Sequence, residues 1–273
     1  MFEEKPILFP NPAEHPEWTN PQSQPFYSRL MEETGGYIYP WQSQFDEPTA
    51  EMILAQHICA YISNQSRVLD VGCGHGEFAN QFAARAREVI GIDLIEGFIA
   101  TANKNRKTNS RFLVVHADNK LPFPDDYFDA AYTKKGPTSW YREANRVVKP
   151  GGLVCGLYHR GTDGGLRSLF PGLYSPMERI DFDQASRSLQ RNLQLTDSGL
   201  DEINIEFIEE TEYLLTPEDV LRKKCFGQSK KLKEYVWSTC LKGVEQIFYK
   251  HATPKGLKIT NYYYLVTCKA NQK

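Results

Sequence analysis

No stretch of the 273-residue chain approaches the roughly 18 consecutive apolar residues of a membrane-spanning helix, so no membrane partner is expected. The opening residues, Met1-Phe2-Glu3-Glu4-Lys5, lack the basic start and apolar core of a secretory leader. The cysteines (Cys59, Cys73, Cys155, Cys225, Cys240 and Cys268) never stand at Cys-x-x-Cys spacing, which removes the commonest zinc signal, and no metal is expected. Several sit in apolar runs and read as reduced, buried thiols, which fits a cytoplasmic protein. An excess of one charge is missing too. A net charge of −2 leaves no surplus cation for a nucleic-acid backbone, although a local basic patch is not excluded. Internal repeats are absent.

Proline is scarce except at the start. Eight of the sixteen prolines (Pro6, Pro10, Pro12, Pro16, Pro21, Pro25, Pro40 and Pro48) fall in the first 48 residues, which argues against regular structure before Phe26. Trp18, Phe26, Tyr27, Tyr37, Tyr39, Trp41 and Phe45 are too many aromatics for a solvated tail. Residues 1–47 therefore read as an extended arm packed over the domain, with one short helix near residues 26–33 ending at Gly35-Gly36. It is either a lid over a cleft or plain surface packing.

Residues 48–273 read as one α/β domain. Asp46-Glu47-Pro48-Thr49 opens a helix with an apolar face of Ile53, Leu54, Ile58, Tyr61 and Ile62. The core, residues 66–160, alternates five strands with helical segments: strands at 68–71, 88–93, 111–116, 127–133 and 153–158. Such alternation gives a parallel sheet with helices on both faces. Two later strands, at 203–213 and 258–269, bring the expected total to seven. Residues 161–202 and 216–257 read as small helical cap insertions, the second opening at Thr216-Pro217-Glu218-Asp219.

Ligands of such sheets bind beyond the carboxyl ends of the strands, where Asp70, Asp93, Asp118, Thr133 and His159 stand. The first strand runs into Asp70-Val71-Gly72-Cys73-Gly74-His75-Gly76, a glycine bend leading into a helix. The dinucleotide fingerprint needs Gly-x-Gly-x-x-Gly. Here the third glycine comes one place early and Glu77 takes its position, where it would repel a pyrophosphate. An acid inside the first strand suits a cationic or amine-bearing cofactor better. A nicotinamide oxidoreductase is the alternative of a different class.

Five stretches in order resemble the class I S-adenosylmethionine-dependent methyltransferases. They are Val68 through Gly76, Ile92-Asp93, Ala117-Asp118 with Leu121-Pro122-Phe123-Pro124-Asp125, Phe128-Asp129, and Arg146-Val147-Val148-Lys149-Pro150-Gly151-Gly152. The resemblance implies a Rossmann-like, mostly parallel seven-stranded sheet and S-adenosylmethionine as cofactor. It implies that Asp70 and the backbone of Gly72, Cys73, Gly74 and Gly76 hold the methionine end, with Thr133 nearby. Asp93 would take the ribose hydroxyls, Leu94 would pack on the adenine, and Ala117, Asp118 and Asn119 would meet its amine edge.

The acceptor is less legible. The chain lacks the Asn/Asp-Pro-Pro-Tyr/Phe motif of many nucleic-acid amino-methylating enzymes, and no cysteine follows a proline as in the cytosine-C5 type. A small-molecule acceptor is therefore expected. The alternatives are RNA, suggested by Lys223, Lys224, Lys230, Lys231 and Lys233, or a non-catalytic domain that retains the pocket. Lys134 and Lys135 would favour an acidic acceptor, unless a nearby carboxylate pairs with them. Tyr37 and Tyr39 would close over the substrate, and His159 is the candidate general base.

Overall fold

The computed structural model describes residues 7–21, 23–163, 165–175, 182–195 and 198–271. Met1 to Lys5 lie outside them. Eight strands form one sheet in the order β1-β7-β8-β6-β5-β2-β3-β4. The strands are β1 (Ser43–Phe45), β2 (Arg67–Val71), β3 (Glu88–Asp93), β4 (Ser110–Val114), β5 (Phe128–Lys134), β6 (Val148–Asp163), β7 (Leu200–Leu214) and β8 (Leu257–Ala270). β2 to β6 pair in parallel, β8 runs antiparallel to β6 and β7, and β1 runs antiparallel to β7.

The parallel strands are continuous apolar runs because both faces are covered. Val68, Ala130, Cys155 and Leu157 face the helix α2 (Ala50–Tyr61), while Leu69, Val71, Ile90 and Val154 face α5 (Tyr141–Val147) with Trp140. In α2, Ala50, Leu54 and Ile58 recur every four residues and are fully buried. A third cluster joins α8 (Pro217–Lys224) and α9 (Lys230–His251), which connect β7 to β8, with Leu214, Leu257, Ile259 and the arm's Phe9. Asp219 accepts the Thr216 N–H at 3.0 Å, the capping box that the sequence signals.

Four expectations shift. The sheet has eight strands rather than seven, because the arm contributes β1; a three-residue strand carries too little pattern to be read. α2 begins two residues beyond Pro48, with Thr49 as the cap that accepts from Met52 N–H at 3.2 Å. After the glycine bend, α3 (Glu77–Asn80) is a single turn. β6 extends through His159 to Asp163, ten of its residues pairing with β8, so His159 lies inside a strand. The remaining helices are α1 (Gln24–Thr34), α4 (Glu96–Lys104), α6 (Leu166–Leu169) and α7 (Phe182–Leu195). α1 stops at Gly35 in the left-handed region (φ 70°), as its sequence signals.

Leu54→Ala removes a fully buried side chain between α2 and the sheet and should cost about 2–5 kcal/mol, read as a lower urea midpoint with unchanged m-value.

Candidate functional site: a glycine bend and a buried polar row at the strand ends

Gly72, Gly74 and Gly76 all take positive φ (79°, 55° and 79°). At Gly72 a Cβ would stand 2.8 Å from Pro137 Cδ, and at Gly76 2.7 Å from the Phe112 ring. At Gly74 it would meet nothing within 4 Å. Two glycines therefore let the bend pack, and the third opens it to space. β3 holds the bend in place: Gly72 and Cys73 donate their N–H groups to the Ile92 carbonyl at 2.8 and 3.0 Å. Asp93 Oδ2 accepts the Gly74 N–H at 2.9 Å, and its Oδ1 accepts Ile95 N–H at 2.9 Å. Burial raises the Asp93 carboxyl against these backbone donors.

Asp70 is 2 % exposed. Its Oδ2 accepts from Tyr132 O–H at 2.9 Å, while its Oδ1 is buried with no hydrogen-bond partner among the described residues. Burial pushes its carboxyl up to about 7; the Tyr132 bond and Lys134 pull against that rise. Cys73 is buried beside it, and its thiol is raised by burial and the two aspartates. Leu94 leaves 50 % of its surface exposed at the rim.

Ala117 is half-buried, and Asp118 and Asn119 are exposed beyond β4. His116 Nδ1 accepts the Asp118 N–H at 3.2 Å, and Arg142 donates to the Asp118 carbonyl. Thr133 differs from the expectation. It is fully buried and donates to the Val71 carbonyl at 2.7 Å, so its hydroxyl pins the glycine bend instead of facing a ligand.

The arm covers this end of the sheet. Tyr37 N–H donates to His75 Nδ1 at 3.3 Å, and Thr101 Oγ1 donates to the Gly35 carbonyl at 2.9 Å. Tyr27 of α1 packs edge-on against Phe98 of α4, centroids 6.5 Å apart, and burial and then the Asp93 charge raise its phenol. Tyr37, Tyr39, Trp41 and Phe226 form one aromatic cluster with centroids 4.4–5.6 Å apart.

Ala130, Tyr132 and Lys134 alternate onto the α2 face of β5. Lys134 Nζ reaches Glu51 Oε2 at 2.9 Å, and Lys135, at φ 59°, reaches Glu51 Oε1 at 2.8 Å. The two lysines are therefore paired with a carboxylate at the start of α2. Although burial opposes ionisation, they hold Glu51 down at about 2. Lys135 Nζ also lies 3.5 Å from Tyr39 Oη and 5.2 Å from the Tyr263 ring centre.

Farther along, the α2 face of the sheet turns from apolar to polar. Glu210, Glu212, Asn261 and Tyr263 are buried there, together with Thr162. Glu212 Oε1 accepts from Trp41 Nε1 at 2.9 Å and Ser43 Oγ at 2.6 Å; its Oε2 accepts from Asn261 Nδ2 at 2.7 Å and Lys223 Nζ at 2.9 Å. One carboxylate thus ties arm, cap and sheet together. Glu210 accepts from Ala50 N–H at 2.8 Å and Tyr263 O–H at 3.2 Å. Sequence reasoning missed Glu51, Glu210, Glu212, Asn261 and Tyr263. The alternation of Glu206, Ile208, Glu210 and Glu212 in β7 was the available signal, since acids on the inward face of a strand need buried partners.

The basic run is also spoken for. Lys231 pairs with Glu17 at 3.1 Å, Lys233 with Glu33 at 2.8 Å, and Lys224 lies over the Trp18 and Tyr174 rings. Among the described residues there is no metal-type cluster of His, Cys, Asp and Glu, and no helix long and apolar enough to cross a membrane.

Residues 69–156 match the methyltransferase domain family. A malonyl-[acyl-carrier protein] O-methyltransferase of Erwinia pyrifoliae is 34% identical over 146 residues, 48% of this chain and 54% of that protein. An uncharacterized methyltransferase of Schizosaccharomyces pombe is 32% identical over 116 residues, 36% and 42% of the two chains. A functionally unknown protein from Deinococcus radiodurans superposes with a TM-score of 0.59 at 20% identity, covering 89% of this chain and 98% of its own. Residues 69–156 thus match a methyltransferase domain, and the Rossmann-like α/β fold is shared with the solved structure on which the chain superposes. The chain spans about half the length of the curated relatives that it matches.

Glu51 is held well below its ordinary 4.5, so its ionised form stabilises the fold above that pH, and the contribution is lost as pH falls toward about 2. In acid titrations of unfolding between pH 4.5 and 2, Glu51→Gln should lose stability less steeply than wild type.

Proposed function

We propose that the protein binds S-adenosylmethionine at the glycine bend and transfers its methyl group to a small-molecule acceptor held on the polar row. The observation that carries the cofactor reading is Asp70 Oδ1, a buried carboxyl oxygen at the end of β2 with no partner among the described residues. A carboxylate left in that state is costly unless a cationic donor meets it, and the cofactor carries an ammonium group. The open side of Gly74 gives backbone approach, and exposed Leu94 offers an apolar face for a purine. Asp93 keeps a second lone pair on each oxygen for ribose hydroxyls while it anchors the loop. The residues present fit this cofactor.

The cofactor supplies an electrophilic methyl on a sulfonium. The chain's contribution is to align an acceptor with it and keep water out. Tyr37, Tyr39 and Trp41 roof the site from the arm, and burial keeps the Tyr263 phenol protonated, as a donor. The small-molecule reading is supported by the pairing of Lys223, Lys231 and Lys233 with Glu212, Glu17 and Glu33, which offsets three of the five charges of the basic run. Relatives named for quinone and acyl-carrier substrates point the same way.

Incubation with methyl-labelled S-adenosylmethionine and cell extract, fractionated into RNA, protein and metabolites, should place label in metabolites; label confined to RNA would contradict this reading. In thermal-shift measurements S-adenosylmethionine should raise Tm and NAD(H) should not. Asp70→Asn removes a charge-assisted hydrogen bond worth about 1.5–3 kcal/mol and should raise the cofactor Kd about 10- to 100-fold.

A further inference from the structure

The β-bulge in β6 brings together two residues that a regular strand would separate. His159 and Thr162 are three apart and would point to opposite faces. The register shift between His159 and Gly161 inserts one residue and turns both toward the same partners on β8. Thr162 Oγ1 lies 2.6 Å from Asn261 Oδ1 and 3.3 Å from His159 Nε2. The direction of every bond in this row can be worked out from its anchor. Glu212 is ionised, because Lys223, Asn261 and Ser43 outweigh the burial that would raise it, and an ionised carboxylate only accepts. Asn261 must therefore present its NH2 to Glu212, leaving Oδ1 toward Thr162. An amide oxygen cannot donate, so the Thr162 hydroxyl spends its proton on Asn261. Its remaining contact, to His159 Nε2, then requires the hydrogen to come from the imidazole.

We infer that Asn261 and Thr162 are positioning residues that fix His159 as the Nε2–H tautomer, so that Nδ1 offers its lone pair to the hydroxyl of an alcohol or phenol acceptor. The inference rests on the methyl-transfer reading above and narrows its substrate class. The contact to Thr162 is made through Nε2, on the far side of the ring from Nδ1. The ring is held edge-on to Tyr263, centroids 5.1 Å apart, on the strand beside the loop that packs against Gly72. The charged groups around it are Lys135 beyond β5, Lys223 on α8 and Glu212 on β7. Burial of the ring and then the two lysines lower the imidazole, against Glu212 and Asn261, although the residue keeps an exposed edge, and the ring is neutral at physiological pH.

A neutral proton acceptor is what a hydroxyl needs. As the acceptor oxygen bonds to the methyl carbon, the carbon–sulfur bond breaks and its electron pair stays on the thioether sulfur. The oxygen then becomes strongly acidic and its proton passes to Nδ1. A carboxylate acceptor has no proton to give. An amine product keeps its proton at neutral pH without help.

The test is long-range proton–nitrogen spectroscopy on the full chain labelled with 15N-histidine, His159 being assigned from His159→Asn. A protonated Nε2 and bare Nδ1, unchanged from pH 8 to pH 5, is the expected result. A protonated Nδ1, or an imidazolium forming near pH 6–7, overturns the inference. Thr162→Val should convert His159 to a tautomer mixture, and Thr162→Ser should restore the wild-type spectrum; an unaltered spectrum in Thr162→Val also overturns it. Label transferred to the extract metabolite should survive mild alkali and leave as methyl iodide in hot hydroiodic acid, as a methyl ether does. Release as methanol in alkali, or retention through the acid, contradicts the hydroxyl class. Loss of cofactor binding with the tautomer intact would sink the methyl-transfer reading alone, and the reverse would sink only this one.

Discussion

Asp93 is the constraint on which the rest depends. Its two oxygens take the N–H groups of Gly74 and Ile95, so one half-buried carboxylate fixes both the glycine bend and the entry to α4. Those amides would otherwise be left without partners at the mouth of the site, at a cost comparable to a lost hydrogen bond each. The parallel register of β2 and β3 delivers the carboxylate there: Val71 stands beside Ile92, so the end of β3 lies against the start of the bend. With the bend fixed, Asp70 is trapped behind it, and its unpartnered oxygen becomes the strongest local demand for a ligand.

A second carboxylate organises the other half. The α2 face of the sheet is apolar at Cys155, Leu157 and Leu265 and becomes polar at His159, Thr162, Asn261 and Glu212. Burying acids there is tolerated only with full pairing. Glu212 obtains that pairing from the arm and the cap as much as from the sheet, through Trp41, Ser43 and Lys223. The arm is therefore part of the wall of the site, which explains why so many aromatics precede the domain.

The parallel half of the fold was legible because two-sided burial writes continuous apolar runs, and glycines with a capping box mark the turns. Asp70, Gly72, Gly74, Gly76 and Asp93 converge where the sequence places them. β1 was hidden by its length, and α3 shrinks to one turn despite helical spacing through residue 84. Thr133 and the Lys134–Lys135 pair could be located but not assigned, since their partners, Val71 and Glu51, are distant in sequence. Glu212, Asn261 and Thr162 share the same difficulty. A polar residue in a strand shows its role only when the strand opposite is known.

The proposal stands or falls on whether the bend, buried Asp70 and half-buried Asp93 hold a sulfonium nucleoside. Isothermal titration of the folded chain with S-adenosylhomocysteine and then S-adenosylmethionine addresses it directly. The account predicts saturable one-to-one heats for both, with the second ligand failing to bind once the first is in place. An absence of heat from either nucleoside, on protein that unfolds cooperatively, would contradict it.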